Sequence, residues 1–173
     1  MAEHTPDSDD RARDDAEVVA DIVAIMRDNP ICMLTTVTSE GSLAARPMTA
    51  QRVDSHGDLW LFAKAGSDLA VQIDEDPRVN LAFVGDRTWV SLAGTATVEV
   101  DEVRARDLWD GPESAWFDGP TDPSLRVVHV AADSAQLWDA PGAIGTMVAI
   151  ARTLVADDQD DAGDFGDSRA VEM

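Results

Sequence analysis

The feature that most constrains this chain is a succession of short segments rich in β-branched residues, each separated from the next by a turn or a short helix. Segments joined by turns as short as Ser39-Glu40-Gly41 are expected to pair as hairpins. Six or seven antiparallel strands linked mostly in this way favour a closed or partly closed barrel, which leaves no exposed edge. The predicted strands cover residues 31–38, 42–53, 59–63, 79–84, 88–100 and 126–138. Gly94, inside the fifth of these, predicts a bulge or a close backbone contact.

Helical periodicity is found only between and around these strands. The apolar residues of segment 15–27 recur at helical spacing, and Asn29-Pro30 ends that helix. A second helix is predicted over 67–75, with Ser67 as its N-cap. A short third helix follows Asp101, and a fourth is predicted over 143–155. The residues expected to face inward from the first two helices are Val18, Ile22, Ile25, Met26, Leu69, Ala70 and Ile73.

The charge of the chain excludes several classes of function. Thirteen Lys and Arg residues stand against 34 Asp and Glu residues, which gives a net charge of −21. Sequence-independent binding to nucleic acid or to anionic membranes depends on basic residues, so neither is expected. No stretch of 18 apolar residues occurs and the N-terminus is acidic, so neither a membrane span nor a signal peptide is predicted. The protein is therefore expected to be cytoplasmic.

Residues that commonly carry chemistry are few. The lone Cys32 lies in an apolar run and is expected to be buried. Of the three histidines, His4 lies in the N-terminal tail, His56 in a turn and His129 in a strand, where a partly buried structural role is expected. No cluster has the spacing of metal ligands, and no glycine loop of the kind that cradles phosphate occurs. No metal is therefore predicted, and no catalytic side chain can be named.

A set of short motifs, in order, resembles the FMN-binding split-barrel family that includes pyridoxamine-phosphate oxidases. The resemblance is strongest to the branch of the bacterial general stress protein 26, and it covers about residues 15–173. The terminal segment 166–173 is similar to the glycine, polar pair and short strand that often end that branch. The motifs are Ala45-Arg46-Pro47-Met48, Leu59-Trp60-Leu61-Phe62, Gly66-Ser67, Asp76-Pro77-Arg78-Val79-Asn80, Trp89-Val90-Ser91-Leu92-Ala93-Gly94-Thr95-Ala96, Ala115-Trp116-Phe117 with Asp122-Pro123, and Leu137-Trp138-Asp139.

The resemblance implies a mainly β fold with peripheral helices, a six- to seven-stranded antiparallel split barrel. Residues 1–14 have no apolar stripe and are rich in charged residues, so they are expected to form a disordered, dispensable acidic tail. A split-barrel domain is expected over 15–156, followed by an acidic linker with a C-terminal strand (157–173). The resemblance also implies a homodimer with FMN, a small-molecule ligand, held at the subunit interface. The cofactor-binding residues expected on this basis are Arg46, Pro47, Met48, Thr49, Gln51, Phe62, Ala63, Lys64, Ser67, Trp116 and Trp138.

In that family, the strand after the first hairpin turn offers an arginine and backbone groups to the phosphate of the flavin. The matching segment here begins at Arg46, whose guanidinium can hold two phosphate oxygens at once. The alternative for Arg46 is a surface salt bridge with one of the many acids. For dimer formation, Trp116, Phe117 and Trp138 are expected either to anchor the interface or to cap the core.

Two departures from the family pattern bear on function. The family often places a basic residue two positions after the serine that opens the second helix, but this chain has Leu69 there, next to Asp68. Lys64 is expected to assist Arg46, and Leu69→Lys is expected to strengthen FMN binding. The family's oxidases also carry basic residues near the C-terminus to hold the substrate phosphate. That region is acidic here apart from Arg169, so oxidation of vitamin B6 is not predicted.

Three functions remain open on sequence grounds. The first is a flavin-binding, oxidoreductase-like stress protein with an unknown substrate. The second is a non-catalytic binding module for a flavin, a deazaflavin or haem. The third is a split-barrel interaction protein whose flavin site has decayed, for which Leu69 and Asp68 are the evidence.

Overall fold

The computed structural model describes residues 8–110, 115–139 and 167–172. Three helices and seven strands lie in these ranges. In chain order they are α1 (Ser8–Asp28), β1 (Ile31–Val37), β2 (Leu43–Val53), β3 (Leu59–Lys64), α2 (Asp68–Glu75), β4 (Arg78–Val84), β5 (Thr88–Glu99), α3 (Glu102–Leu108), β6 (Leu125–Asp139) and β7 (Asp167–Glu172).

The strands form one antiparallel sheet in the order β3-β2-β1-β4-β5-β6-β7, and β3 also pairs with β6. This pairing closes the first six strands into a barrel. Closure is possible because β6 is 15 residues long: its first half pairs with β3 and its second half with β7, while β5 runs along both. The split-barrel prediction is confirmed, and each predicted strand begins and ends within one residue of the observed one.

The barrel interior is filled by the residues that alternate along each strand. On β1, Cys32, Leu34 and Thr36 point inward and are at most 2% exposed. Cys32 is buried, as the sequence predicts, and this burial raises the pKa of its thiol to about 12. Helix α1 closes one side of this main core with the residues Val18, Ile22, Val23 and Met26.

A second, smaller core covers the outer face of β3 and the first half of β6. Its residues come from these strands, from α3 and from the loop after α3: Phe62, Ala105, Leu108, Phe117, Leu125 and Val127. The rings of Phe62 and Phe117 meet edge to face, with centroids 6.3 Å apart. Phe117 therefore caps the core, whereas its neighbour Trp116 is 74% exposed.

Gly94 lies where the pairing of β5 with β6 shifts register. A Cβ atom at this position would lie within 3.0 Å of the carbonyl oxygen of Ala131 and of a methyl group of Val130. The close backbone contact predicted from the sequence is confirmed, and it explains why only glycine fits there.

The ends of the chain differ in part from the expected boundaries. Helix α1 begins at Ser8, seven residues before the predicted start, so residues 8–14 of the predicted tail are helical. The buried positions that the structure describes on α1 begin at Val18, and dispensability of the first 14 residues stays a prediction. The predicted C-terminal strand is present as β7, but the helix predicted over 143–155 lies outside the described residues.

Candidate functional site

Arg46 lies at the centre of a polar cluster that joins three elements. On β2 it stands opposite Leu34 of β1, so its side chain points to the inner side of the hairpin. Its Nη1 donates to the Thr36 hydroxyl of β1 at 2.9 Å, and its Nη2 donates to Gln72 Oε1 of α2 at 2.8 Å. The Thr36 hydroxyl donates to the same Gln72 oxygen at 2.6 Å, which closes a ring of three hydrogen bonds. We call Arg46, Thr36 and Gln72 the Arg46 cluster.

The positive charge of Arg46 is not neutralised by a carboxylate in the described part of the chain. The ion pairs found there involve Arg52, Arg78, Arg104, Arg106 and His129, and none includes Arg46. The surface salt bridge considered as the alternative for Arg46 is therefore not found among residues 8–110, 115–139 and 167–172. Both acceptors in the cluster are neutral oxygens, so neither of these hydrogen bonds pairs the half-buried guanidinium with a negative charge. Such a group is suited to an anion.

Helix α2, which supplies Gln72, begins as the sequence predicts. Ser67 is the N-cap, and its hydroxyl accepts from the backbone N–H of Ala70 at 3.4 Å. The predicted inward residues Leu69, Ala70 and Ile73 are all buried. Leu69 is only 5% exposed and belongs to the main core, while Asp68 is exposed.

Lys64, the only lysine, is exposed at the end of β3. Its charge acts on Asp122, whose pKa is lowered. The main cause is the hydrogen bond that Asp122 accepts from the Asp118 backbone N–H, followed by two from Ser124, and Lys64 contributes the smallest lowering effect. The positive charge of Lys64 is thus partly offset by a neighbouring carboxylate, unlike that of Arg46.

The other predicted ligand residues of β2 alternate between its two faces. Pro47 and Thr49 are exposed on the outer face, whereas Met48 is half-buried against the main core. Gln51 is half-buried, and its amide nitrogen donates to the Thr49 carbonyl at 3.3 Å.

The remaining predicted ligand residues are spread over the molecule. Phe62 and Ala63 are 7% and 5% exposed, in the second core and the main core respectively, so their side chains are interior groups. Trp116 is exposed in the loop after α3. Trp138 is half-buried on β6, opposite Trp89 of β5.

Sequence reasoning missed Thr36 and Gln72. Both carried a usable signal, because Thr36 continues the inward alternation of Cys32 and Leu34, and Gln72 follows the buried Leu69 by three residues, on the same side of α2. A polar residue at an inward position requires a hydrogen-bonding partner, and Arg46 is that partner.

His129 has the structural role expected of it. Its Nε2 lies 3.0 Å from Asp58 Oδ2, and its ring stacks on Trp60 at 4.9 Å between centroids. The other Asp58 oxygen accepts from the backbone N–H of Ala132 at 3.0 Å. These contacts tie the turn before β3 to β6 and leave His129 half-buried.

A closed six-stranded antiparallel barrel with a seventh strand at its edge is the architecture of the split-barrel proteins related to pyridoxamine-phosphate oxidases. Residues 17–161 match the family described as pyridoxamine 5′-phosphate oxidase like. This protein belongs to that family. No curated protein sequence matches the chain.

Solved structures of other proteins share this fold. A general stress protein 26 from a Jannaschia species is 22% identical, with a TM-score of 0.67 over 91% of this chain and 99% of its own. A general stress FMN/FAD binding protein from Xanthomonas citri is 25% identical, with a TM-score of 0.62 over 86% of this chain and 97% of its own. A haem binding protein from Mycobacterium smegmatis is 20% identical, with a TM-score of 0.58 over 69% of this chain and 52% of its own. In the described ranges, no helix has the length and apolar character needed to span a membrane.

Proposed function

We propose that this protein binds FMN and that Arg46 is the main cation for the FMN phosphate. The observation that carries the proposal is the half-buried Arg46 guanidinium, which has neutral hydrogen-bond acceptors and no carboxylate partner among the described residues. Three of its five N–H groups remain available after the two hydrogen bonds within the cluster. A phosphate dianion, which only accepts hydrogen bonds near neutral pH, matches such a set of donors.

The match with the family and the similarity to an FMN/FAD binding protein support a flavin over other phosphate ligands. Bound FMN would supply hydride or single-electron transfer, and the protein would supply orientation and electrostatics. Arg46 would hold the phosphate, and Ser67 and Lys64 would assist it.

We also propose that the protein is a homodimer, which in this family completes the flavin site. An apolar surface on the outside of the barrel supports this proposal. Its most exposed members lie on β1, β2, β4 and β5, and we call this surface the outer apolar face. They are Ile31 (68% exposed), Met33 (42%), Leu43 (75%), Val84 (57%) and Trp89 (44%). Val84 pairs with Trp89, and Ile31 lies on the strand next to Val84, whereas Leu43 lies at the other end of the β1–β2 hairpin, opposite Val37. Exposed apolar side chains on neighbouring strands are typical of protein interfaces.

The FMN proposal is tested by titrating the full-length protein and Arg46→Ala with FMN and with riboflavin, following flavin fluorescence. We expect Arg46→Ala to weaken FMN binding by about 1.5–3 kcal/mol, the scale of a hydrogen bond to a charged group. Riboflavin lacks the phosphate, so its affinity should not change. Equal losses for both ligands would show that Arg46 supports the fold or the ring instead.

Arg52→Ala is the matched control for this titration. Arg52 lies on the same strand, but its guanidinium is paired with the carboxylate of Asp107. Its removal should leave the affinities for FMN and riboflavin unchanged. If the parent protein binds no FMN, the decayed-site function is favoured instead.

The similarity to the mycobacterial haem binding protein, at 20% identity, supports the fold alone and does not favour haem as the ligand of this chain. Of the two histidines in the described ranges, His56 is exposed in a turn and His129 is held by Asp58 and Trp60. Neither arrangement favours an axial haem ligand. A deazaflavin that carries a phosphate would use the same Arg46 charge, and the titration extends to it without change.

A further inference from the structure

We infer that Gln72 is the residue that sets the preference for phosphate at this site: it positions the Arg46 guanidinium, leaves the positive charge without a carboxylate partner and adds an N–H donor of its own. This inference rests on the proposed FMN site and adds to it a residue outside the set predicted from the sequence. Gln72 lies in α2, 26 residues from Arg46, and its Oε1 is the oxygen that closes the hydrogen-bond ring of the Arg46 cluster.

The orientation of the Gln72 amide follows from the chemistry of its partners. A guanidinium can only donate hydrogen bonds, so the atom that faces Arg46 Nη2 must be the Gln72 oxygen. The Thr36 hydroxyl accepts from Arg46 Nη1, and its single hydrogen is then directed to the same Gln72 oxygen. The Gln72 oxygen is thus fully used, and its NH₂ group points away from Arg46.

The groups that the cluster leaves available are therefore all donors. The Gln72 NH₂ group makes no hydrogen bond to another described residue, and it is not a buried, unsatisfied group. Together with the remaining N–H groups of Arg46, it forms a set of donors suited to an anion. Thr36 is 1% exposed and both of its polar roles are satisfied, so it orients the cluster from inside.

Glutamate at this position would make a different site. Helix α2 carries three acids, Asp68, Asp74 and Glu75, yet the position that contacts Arg46 holds the neutral isostere of glutamate. A carboxylate at position 72 would form an ion pair with Arg46. Its negative charge would offset the positive charge that attracts phosphate. With glutamine at position 72 the cluster can bind an anion, whereas with glutamate it would form an internal salt bridge.

The experiment compares the full-length protein with Gln72→Glu, Gln72→Met and Val71→Glu, each titrated with FMN and with riboflavin. We expect Gln72→Glu to lower FMN affinity at least about tenfold, which corresponds to a charge-assisted hydrogen bond. Gln72→Met removes the oxygen and the donors without adding charge, and a smaller loss of about threefold or more is expected. Riboflavin affinity should stay within about twofold for both variants, because riboflavin carries no phosphate.

Val71→Glu is the matched control. Val71 is 45% exposed on the same helix, and the substitution adds the same negative charge one residue away from Gln72. Circular dichroism checks that each variant is folded, and Gln72→Met remains informative if Gln72→Glu unfolds. Two results would overturn this inference while the proposed function stands. One is a folded Gln72 variant whose ratio of FMN affinity to riboflavin affinity is unchanged. The other is an equal loss of FMN affinity in Gln72→Glu and Val71→Glu. A parent protein that binds no FMN would overturn both.

Discussion

Leu69 shows how the meaning of a single residue depends on burial. The family pattern predicts a cation at this position, and from the sequence its absence indicates a weakened phosphate site. In the structure Leu69 is 5% exposed and packs in the main core, between α2 and the barrel. A lysine at this position would have to bury its ammonium group or displace the helix.

The expectation that Leu69→Lys strengthens FMN binding is therefore revised. We now expect this substitution to lower the free energy of unfolding by about 2–5 kcal/mol, the range found when a buried leucine is lost. Urea denaturation of the protein without ligand measures this effect. Asp68→Lys is the better way to restore a cation, because Asp68 is exposed at the first position of α2. Asp68→Lys should cost at most about 1 kcal/mol, and a stable Leu69→Lys protein would contradict the assigned core position.

At the scale of elements, the irregularity between β5 and β6 lies where β6 changes its other partner from β3 to β7. The two strands pair along 12 positions of β5, and one register shift, between Ala93 and Gly94, interrupts the ladder. On one side of the shift β6 pairs with β3, and on the other side it pairs with β7. A bulge increases local twist and bends the strand, which lets one long strand serve both the barrel and its edge.

We expect Gly94→Ala to destabilise the protein by about 1–3 kcal/mol, as overpacking does in other cores. The physical reason is the contact that an added Cβ makes with the Ala131 carbonyl and with Val130. Thermal denaturation followed by circular dichroism measures the change. Thr97→Ala, at an exposed position of the same strand, is the control and should change stability by less than about 0.5 kcal/mol. Equal stabilities for Gly94→Ala and the parent protein would contradict this prediction, because they would mean that the two strands can move apart without loss of free energy.

At the scale of the whole molecule, one outer side of the barrel is covered by other elements and another is exposed. The outer side of β3 and the first half of β6 is covered by α3 and the following loop, which form the second core. The outer apolar face, by contrast, exposes a set of large apolar side chains on neighbouring strands. Of the aromatic residues considered as interface anchors from the sequence, Phe117 belongs to the second core, while Trp138 lies opposite Trp89 beside this face.

If the outer apolar face is the dimer interface, Val84→Glu should shift the protein to the monomer mass in light scattering at micromolar concentration. A charge buried within an apolar interface is costly, so loss of association is the expected result. Val103→Glu is the control, because it makes the same substitution at a residue that is 77% exposed on α3, outside this face. This variant should leave the dimer intact. A monomeric parent protein, or a dimer that tolerates Val84→Glu, would contradict the proposal.

The sequence by itself determined the local structure of this protein. β-Branched residues in alternation, bounded by turn residues, indicated where each strand begins and ends, and Ser67 and Gly94 indicated a helix start and a close contact. These features depend on neighbours a few residues away, so they can be predicted from a short window of sequence.

Only the tertiary structure decided which side chains meet. The contact of Arg46 with Gln72, the burial of Leu69 and the separation of Phe117 from Trp116 depend on sheet closure and on how α2 and α3 pack against the barrel. The family pattern supplied Arg46 but not its partners. Contacts between residues far apart in the chain depend both on strand register and on how the elements pack. No local sequence pattern specifies both, so the Arg46 cluster could be recognised only in the folded structure.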